Sequence, residues 1–242
     1  MKQPITTPKS TKSGYNPARY KNGRRFVRLV MNVSFPLLAK IDGVEGAENV
    51  PDEGAVVIYY NHFSFADPMT IMHVLKRDVV PLAKIEVYDY PIVGILPKLW
   101  YVVPVRRGEA DRQAIRASLN VLNAGAPLLI APEGTRGPVL RRGLEGMAYL
   151  AARSGAVLVP AAIHHAEGFP ALRGTKRWKG PGIQVRFGRP FRSLPELKRA
   201  KPAQLRQMTD EAMYLLAAML PEEKRGDYAD LSQATQETFS WV

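Results

Sequence analysis

The sequence predicts an α/β fold: a single domain with a central mixed, largely parallel sheet flanked by helices, preceded by an apolar N-terminal helix expected to associate with a membrane. Three observations predict it. Short apolar runs recur along the chain and are too continuous to have one face in water. Segments with helical spacing lie between them. The 242 residues are enough for one sizeable core, and no internal repeat, low-complexity block or second domain interrupts them.

Residues 1–24 read as a basic mobile tail, with Pro4, Pro8, Gly14, Pro17 and Gly23 among polar neighbours. The domain is expected over 25–220, and its first element is the apolar run Phe26–Ile41, broken only by Arg28, Asn32, Ser34, Pro36 and Lys40. Strands are expected at Ala55–Tyr60, Val79–Ala83, Tyr101–Val105, Leu128–Ala131, Val157–Ile163 and Ile183–Phe187. Helices are expected at Pro68–Lys76, Glu109–Asn123, Leu144–Arg153 and Pro202–Leu220, where apolar residues return at helical spacing. Residues 221–242 turn polar and acidic, and form a C-terminal tail with Phe239 and Trp241 on the domain surface.

Cysteine is absent, which excludes disulfides, thiolate nucleophiles and zinc–cysteine sites. The formal charge is +12, and its placement is more telling than its size. Lys2, Lys9, Lys12, Arg19, Lys21, Arg24, Arg25 and Arg28 fall in the first 28 residues with no acid among them. Removing these eight from the 34 basic residues leaves 26 against 22 acids, so the body is nearly balanced. A basic arm seeks a polyanion, either nucleic acid or an anionic membrane surface. The apolar run beside it favours the membrane. At sixteen residues it falls short of a span, and two readings stand: a helix lying in the bilayer interface, or a buried helix of the domain. No nucleic-acid partner is expected, because the body lacks a basic stripe interleaved with aromatics. Secretory-signal grammar fails. The expected location is peripheral or monotopic on the cytoplasmic face of a membrane, and an organellar transit segment stays open.

In an open α/β sheet, chemistry gathers where loops leave the carboxyl ends of strands. Two such loops stand out. The first is Asn61-His62-Phe63-Ser64-Phe65-Ala66-Asp67-Pro68. A histidine at a strand end is a base of suitable pKa, and a carboxylate within reach can fix its tautomer. Asp67 also fits a second role, since Asp-Pro is a good N-cap and first-turn pair. His73 and Asp78 repeat the His-x4-Asp spacing, but His73 sits in a helical segment, where packing explains it better. Ser64 lies in no Gly-x-Ser-x-Gly elbow, which argues against a serine hydrolase. The second loop is Pro132-Glu133-Gly134-Thr135-Arg136-Gly137, followed by Arg141 and Arg142. Glycine allows close backbone approach and a guanidinium matches phosphate oxygens, so the loop suits a phosphate-bearing ligand. No P-loop or dinucleotide fingerprint is present, and His164-His165 has no partner motif. No metal is expected.

Together these blocks resemble the 1-acylglycerol-3-phosphate acyltransferase family. Asn61-His62-Phe63-Ser64-Phe65-Ala66-Asp67 is similar to its Asn-His-x-Ser-x-x-x-Asp block. Leu82-Ala83-Lys84-Ile85-Glu86 with Pro91 and Gly94, Tyr101–Arg107, Pro132–Arg136, Val159-Pro160 and Phe187-Gly188-Arg189-Pro190 look like the blocks that follow. The resemblance covers roughly residues 26–220. It implies that His62 is the general base and Asp67 its orienter. It also implies that Lys84, Arg107 and Arg136 meet the phosphate of a lysophospholipid acceptor, with Glu133, Gly134 and Thr135 shaping the pocket. No cofactor is implied: an acyl-CoA or acyl carrier protein thioester is the co-substrate. The chain departs from the pattern twice. Arg106 stands where the second motif usually has an acid, and Ala131 where the third usually opens with Phe. Lacking a convincing nucleophile, the chain is expected to act by direct attack of the acceptor hydroxyl.

Overall fold

The computed structural model describes residues 14–91, 94–106 and 111–242. Its sheet contains β1 (Ile41–Glu45), β2 (Val56–Tyr60), β3 (Val80–Lys84), β4 (Val103–Val105), β5 (Leu128–Ile130), β6 (Val157–His164), β7 (Ile183–Phe187), β8 (Phe191–Ser193) and β9 (Phe239–Trp241). The main order is β1-β7-β6-β2-β5-β3-β4, with β8 pairing to both β6 and β9. From β6 through β4 every neighbouring pair is parallel. β7 and β8 run antiparallel to β6, so the sheet is mixed but largely parallel, as its apolar runs predict.

The helices are α1 (Lys21–Leu38), α2 (Asp67–Val74), α3 (Ile95–Trp100), α4 (Arg112–Asn123), α5 (Gly146–Ser154) and α6 (Pro202–Ala218). They cover both faces of the sheet, which is why the central strands have no water-facing side. Val57 and Tyr59 of β2 pack with Val121 of α4, Leu150 of α5 and Met213 of α6. Their neighbours Val56, Ile58 and Tyr60 point the other way, toward Val27 and Met31 of α1, Ile71 of α2 and Trp100 of α3.

Three expectations need correction. The N-terminal helix begins at Lys21 and stops at Leu38, and Ile41 opens β1 instead of closing the helix. The tail expected through residue 24 is folded from residue 14: Tyr15 packs 4.9 Å from the Tyr101 ring, and buried Arg24 donates Nε to the Trp100 carbonyl at 3.0 Å. The part of the tail over 1–13 lies outside the described residues. At the other end, Phe239 is buried and β9 joins the sheet. The buried Glu211 carboxylate pins this end by accepting from Thr235 Oγ1, the Glu237 amide and the Thr238 amide, at 2.7, 3.0 and 3.0 Å.

α1 packs one face of the apolar run into the domain and leaves the other exposed. Arg24, Val27 and Met31 face inward, and Arg28 pairs with Asp78 at 2.7 Å. Phe26, Leu29, Val30, Val33 and Leu37 face out, with Leu29 61% exposed. No described helix is long and apolar enough to cross a membrane.

Candidate active site

The carboxyl ends of the parallel strands share one edge, and β2, β3, β4 and β5 bring the expected residues there. His62 follows β2, Lys84 ends β3, Arg106 follows β4, and the Pro132–Gly137 loop follows β5. Arg107 lies outside the described residues.

His62 Nδ1 lies 3.2 Å from Asp67 Oδ2, and the two side chains are 13% and 1% exposed. Asp67 is not the cap of α2. Ala66 holds that position, Asp67 is the first helical residue, and its carboxylate turns back to accept from the Phe63 and Ser64 amides at 2.8 and 2.7 Å. The turn of chain carrying His62 is thereby folded around the carboxylate. All three contacts use Oδ2, and Oδ1 is buried without a partner among the described residues. Burial pushes the Asp67 carboxyl above its ordinary value, and His62 and the Ser64 and Phe63 amides offset this only in part. With Asp67 facing Nδ1, the ring proton is assigned to that nitrogen, which leaves Nε2 free to accept a proton.

The second loop holds the first. Glu133, buried, accepts from the His62 amide through Oε1 and from the Arg141 amide through Oε2, both at 3.0 Å. Gly137 donates its amide to the His62 carbonyl at 3.0 Å. The backbone of His62 is therefore clamped on both sides by the loop after β5, and both oxygens of Glu133 are used on the protein's own amides. Burial raises the Glu133 carboxyl to about 7. Gly134 has φ +68, and a Cβ there would meet Leu144 Cδ1 at 2.9 Å, so glycine suits both the turn and the space. Thr135 is half-buried and Arg136 exposed. Lys84 is half-buried, with Nζ 5.8 Å from the Tyr90 ring centre. Among the described residues, no side chain of Lys84, Arg106 and Arg136 forms an ion pair with a carboxylate.

The repeated His-x4-Asp spacing is resolved by packing. The His73 ring stacks on Phe35 of α1 at 4.2 Å, and Asp78 is held by Arg28. Burial, helped by Arg28, lowers the His73 pKa. His164 is half-buried, with Nε2 3.4 Å from the Met219 carbonyl. No group of three or more potential metal ligands occurs among the described residues.

Sequence reasoning missed several supports. Asn61 is fully buried and exchanges hydrogen bonds with the Ile163 backbone at 2.9 and 2.8 Å, which locks β2 to β6 just before His62. Its signal was a polar side chain ending an apolar run. The C-terminal segment braces the second loop: the Asp227 carboxylate accepts from the Arg142 amide at 2.7 Å, and the Lys224 backbone carbonyl accepts from the Leu140 amide at 3.0 Å. These contacts join residues about 85 positions apart in sequence and leave no local signal.

Residues 43–164 match the family model for acyltransferases, and they span the strands and both loops just described. The chain belongs to the acyltransferase family. Among relatives, the chloroplastic 1-acyl-sn-glycerol-3-phosphate acyltransferase LPAT1 of Arabidopsis thaliana is 30% identical over 151 residues, covering 60% of this chain and 42% of the relative. The 1-acyl-sn-glycerol-3-phosphate acyltransferase of Borreliella burgdorferi is 30% identical over 131 residues, 52% of each chain. The chain thus spans about half the length of the curated relatives it matches. The crystal structure of the 1-acyl-sn-glycerophosphate acyltransferase PlsC from Thermotoga maritima has the same fold, with a TM-score of 0.56 at 20% identity, covering 90% of this chain and 81% of that one.

Proposed function

We propose that the chain is an O-acyltransferase that moves a fatty acyl group from a thioester onto the free hydroxyl of 1-acylglycerol-3-phosphate, making phosphatidic acid. The observation that carries this reading is the His62–Asp67 pair, presented at the carboxyl edge of the sheet and clamped by a loop that leaves Arg136 free. Names of relatives support the acceptor.

In the proposed reaction the acceptor hydroxyl attacks the thioester carbonyl while His62 Nε2 takes its proton. The carbon–oxygen bond forms, the carbon–sulfur bond breaks, and the proton passes from His62 to the departing thiolate. Asp67 steadies the imidazolium formed in between. Lys84, Arg107 and Arg136 are assigned to the acceptor phosphate, which two or more cations bind far better than one. Gly134 and Thr135 shape the same pocket, and Glu133 acts as a positioning residue through the His62 backbone. The amides of Thr135 and Arg136 lie between glycines whose amides are bonded internally, and they are assigned to the oxyanion. The donor is acyl-CoA or acyl carrier protein.

The outward apolar face of α1 supports seating on an anionic membrane surface, with Lys21 and Arg25 exposed beside it. Such docking is that of a peripheral or monotopic protein, and we assign it to the cytoplasmic face. A second acceptor reading rests on Arg106, exposed at the end of β4 where the family usually has an acid. It predicts a more anionic or different head group on the lysophospholipid. The test is mass-spectrometric detection of product from a panel of lysophospholipids with both donors. Phosphatidic acid as the main product supports the first reading. A different lysophospholipid consumed faster supports the second, and no acylation of any acceptor overturns both.

A further inference from the structure

The segment after β6 carries a surface that the site does not use. Residues 169–182 contain no acid, and their cations divide into two groups. Arg177 is spent internally. It donates to the carbonyls of His165, Glu167 and Pro181, and its guanidinium carbon lies 4.2 Å from the Phe169 ring centre. Trp178 Nε1 adds a bond to the Ala171 carbonyl at 3.1 Å and meets the Phe169 ring edge-on. Arg173, Lys176 and Lys179 are exposed and pair with no described carboxylate.

This stapled loop is joined to the end of α1. The Ala171 amide donates to the Leu38 carbonyl and the Arg173 amide to the Leu37 carbonyl, both at 2.8 Å, which satisfies carbonyls left open at the helix terminus. Leu172 lies between the two bonds and is 68% exposed. Lone exposed leucines are common and need no explanation. This one is tied through the amides on either side of it to the end of α1, the helix whose outward face carries exposed Phe26, Leu29, Val30, Val33 and Leu37. An exposed leucine followed within seven residues by three exposed cations that pair with no described carboxylate complements an interface that is apolar below and anionic above. An acidic phospholipid bilayer has that chemistry, whereas nucleic acid offers nothing for the leucine.

We propose that residues 171–179 are a second membrane-docking element, which inserts Leu172 and places Arg173, Lys176 and Lys179 among anionic head groups. With α1 it defines a plane of contact and so fixes orientation, which one helix alone leaves free to roll. The same post-β6 segment also touches the catalytic loop: Ser64 Oγ, two residues from His62, donates to the Ala166 carbonyl at 2.8 Å. The inference rests on the membrane-acyltransferase reading for its purpose, but binding is measured separately from turnover.

The test is flotation of the full chain with phosphatidylcholine vesicles, with and without phosphatidylglycerol. Leu172→Asp is expected to weaken binding to both vesicle types by about tenfold or more, the worth of one inserted leucine. The triple variant Arg173→Ala, Lys176→Ala, Lys179→Ala is expected to lose about fivefold per cation on phosphatidylglycerol-containing vesicles at low salt, and little on phosphatidylcholine alone. Transfer to a short-chain, monomerically dissolved acceptor should be unchanged in both, which shows the fold is intact. Wild-type binding by both variants overturns the proposal, even if Leu29→Asp in α1 abolishes binding. If the wild type acylates no acceptor while the loop variants still lose vesicle binding, the proposed reaction falls and this inference stands.

Discussion

Glu133→Gln separates a brace from a ligand. In the folded chain the carboxylate accepts from two backbone amides, those of His62 and Arg141, each at 3.0 Å. An amide side chain keeps one acceptor and turns an NH₂ group toward the other donor. Losing one buried bond and facing two donors together costs about 1–3 kcal/mol. Against that stands the burial of charge. A carboxyl raised from 4.5 to about 7 makes its ionised form roughly 3 kcal/mol more costly in the folded chain, at about 1.4 kcal/mol per pH unit. Because the folded value is the higher, the folded state holds more protons between about pH 4.5 and 7. This contribution to wild-type stability therefore falls as pH rises through that window and stays flat above it. Glu133→Gln lacks it, and every other titration is common to the two proteins. The stability difference, wild type minus variant, should therefore fall by up to about 3 kcal/mol between pH 5 and pH 8. Urea unfolding followed by tryptophan fluorescence across this range measures it, with buried Trp100 as a reporter. A difference that does not change with pH would refute the reasoning.

Three further outcomes follow from the geometry. Arg136→Ala should raise the KM for the phosphate-bearing acceptor by about tenfold or more and leave the donor KM nearly unchanged, since a charge-assisted bond is worth about 1.5–3 kcal/mol; steady-state kinetics in both substrates would expose an equal loss. His73→Ala should leave turnover close to wild type, because His73 packs against Phe35 on α1 and Asp78 is engaged by Arg28; activity and urea midpoint read this directly. Glu211 has its carboxyl held below the ordinary value: hydrogen bonds from Thr238, Glu237 and Thr235 outweigh burial, which acts the other way. Its stabilisation is thus complete above about pH 4.5 and fades as pH falls through the lower folded value, so proteolytic cleavage within 235–242 should rise first under acid and appear near neutrality in Glu211→Ala.

Most of the sheet was legible because parallel strands buried on both faces leave unbroken apolar runs, and β2, β5, β6 and β7 lie where those runs are. β1 was hidden because Ile41 extends the apolar stretch of α1 across the helix end. β8 and β9 have three residues each, and nothing local says that Phe191 and Trp241 are register partners. α3 was not among the expected helices: it has six residues, too few to show a helical period, with Pro97 in its first turn. In the site, His62 and Asp67 were legible as a strand-end pair. The direction in which Asp67 turns was not, since an Asp-Pro pair serves a cap equally well. Glu133 was visible as chemistry but not as a brace, because its partners, His62 and Arg141, are fixed only when β2 and β5 pair.

The general-base role of His62 is tested most directly by thiol release from acyl-CoA by the purified full chain, with and without lysophosphatidic acid, compared with His62→Ala. The expected result is acceptor-dependent release in the wild type, abolished in His62→Ala, while the variant keeps its urea midpoint and vesicle binding. Substantial turnover in His62→Ala would contradict the assignment of the base. Wild-type release that ignores the acceptor would contradict transfer to a hydroxyl of that lipid.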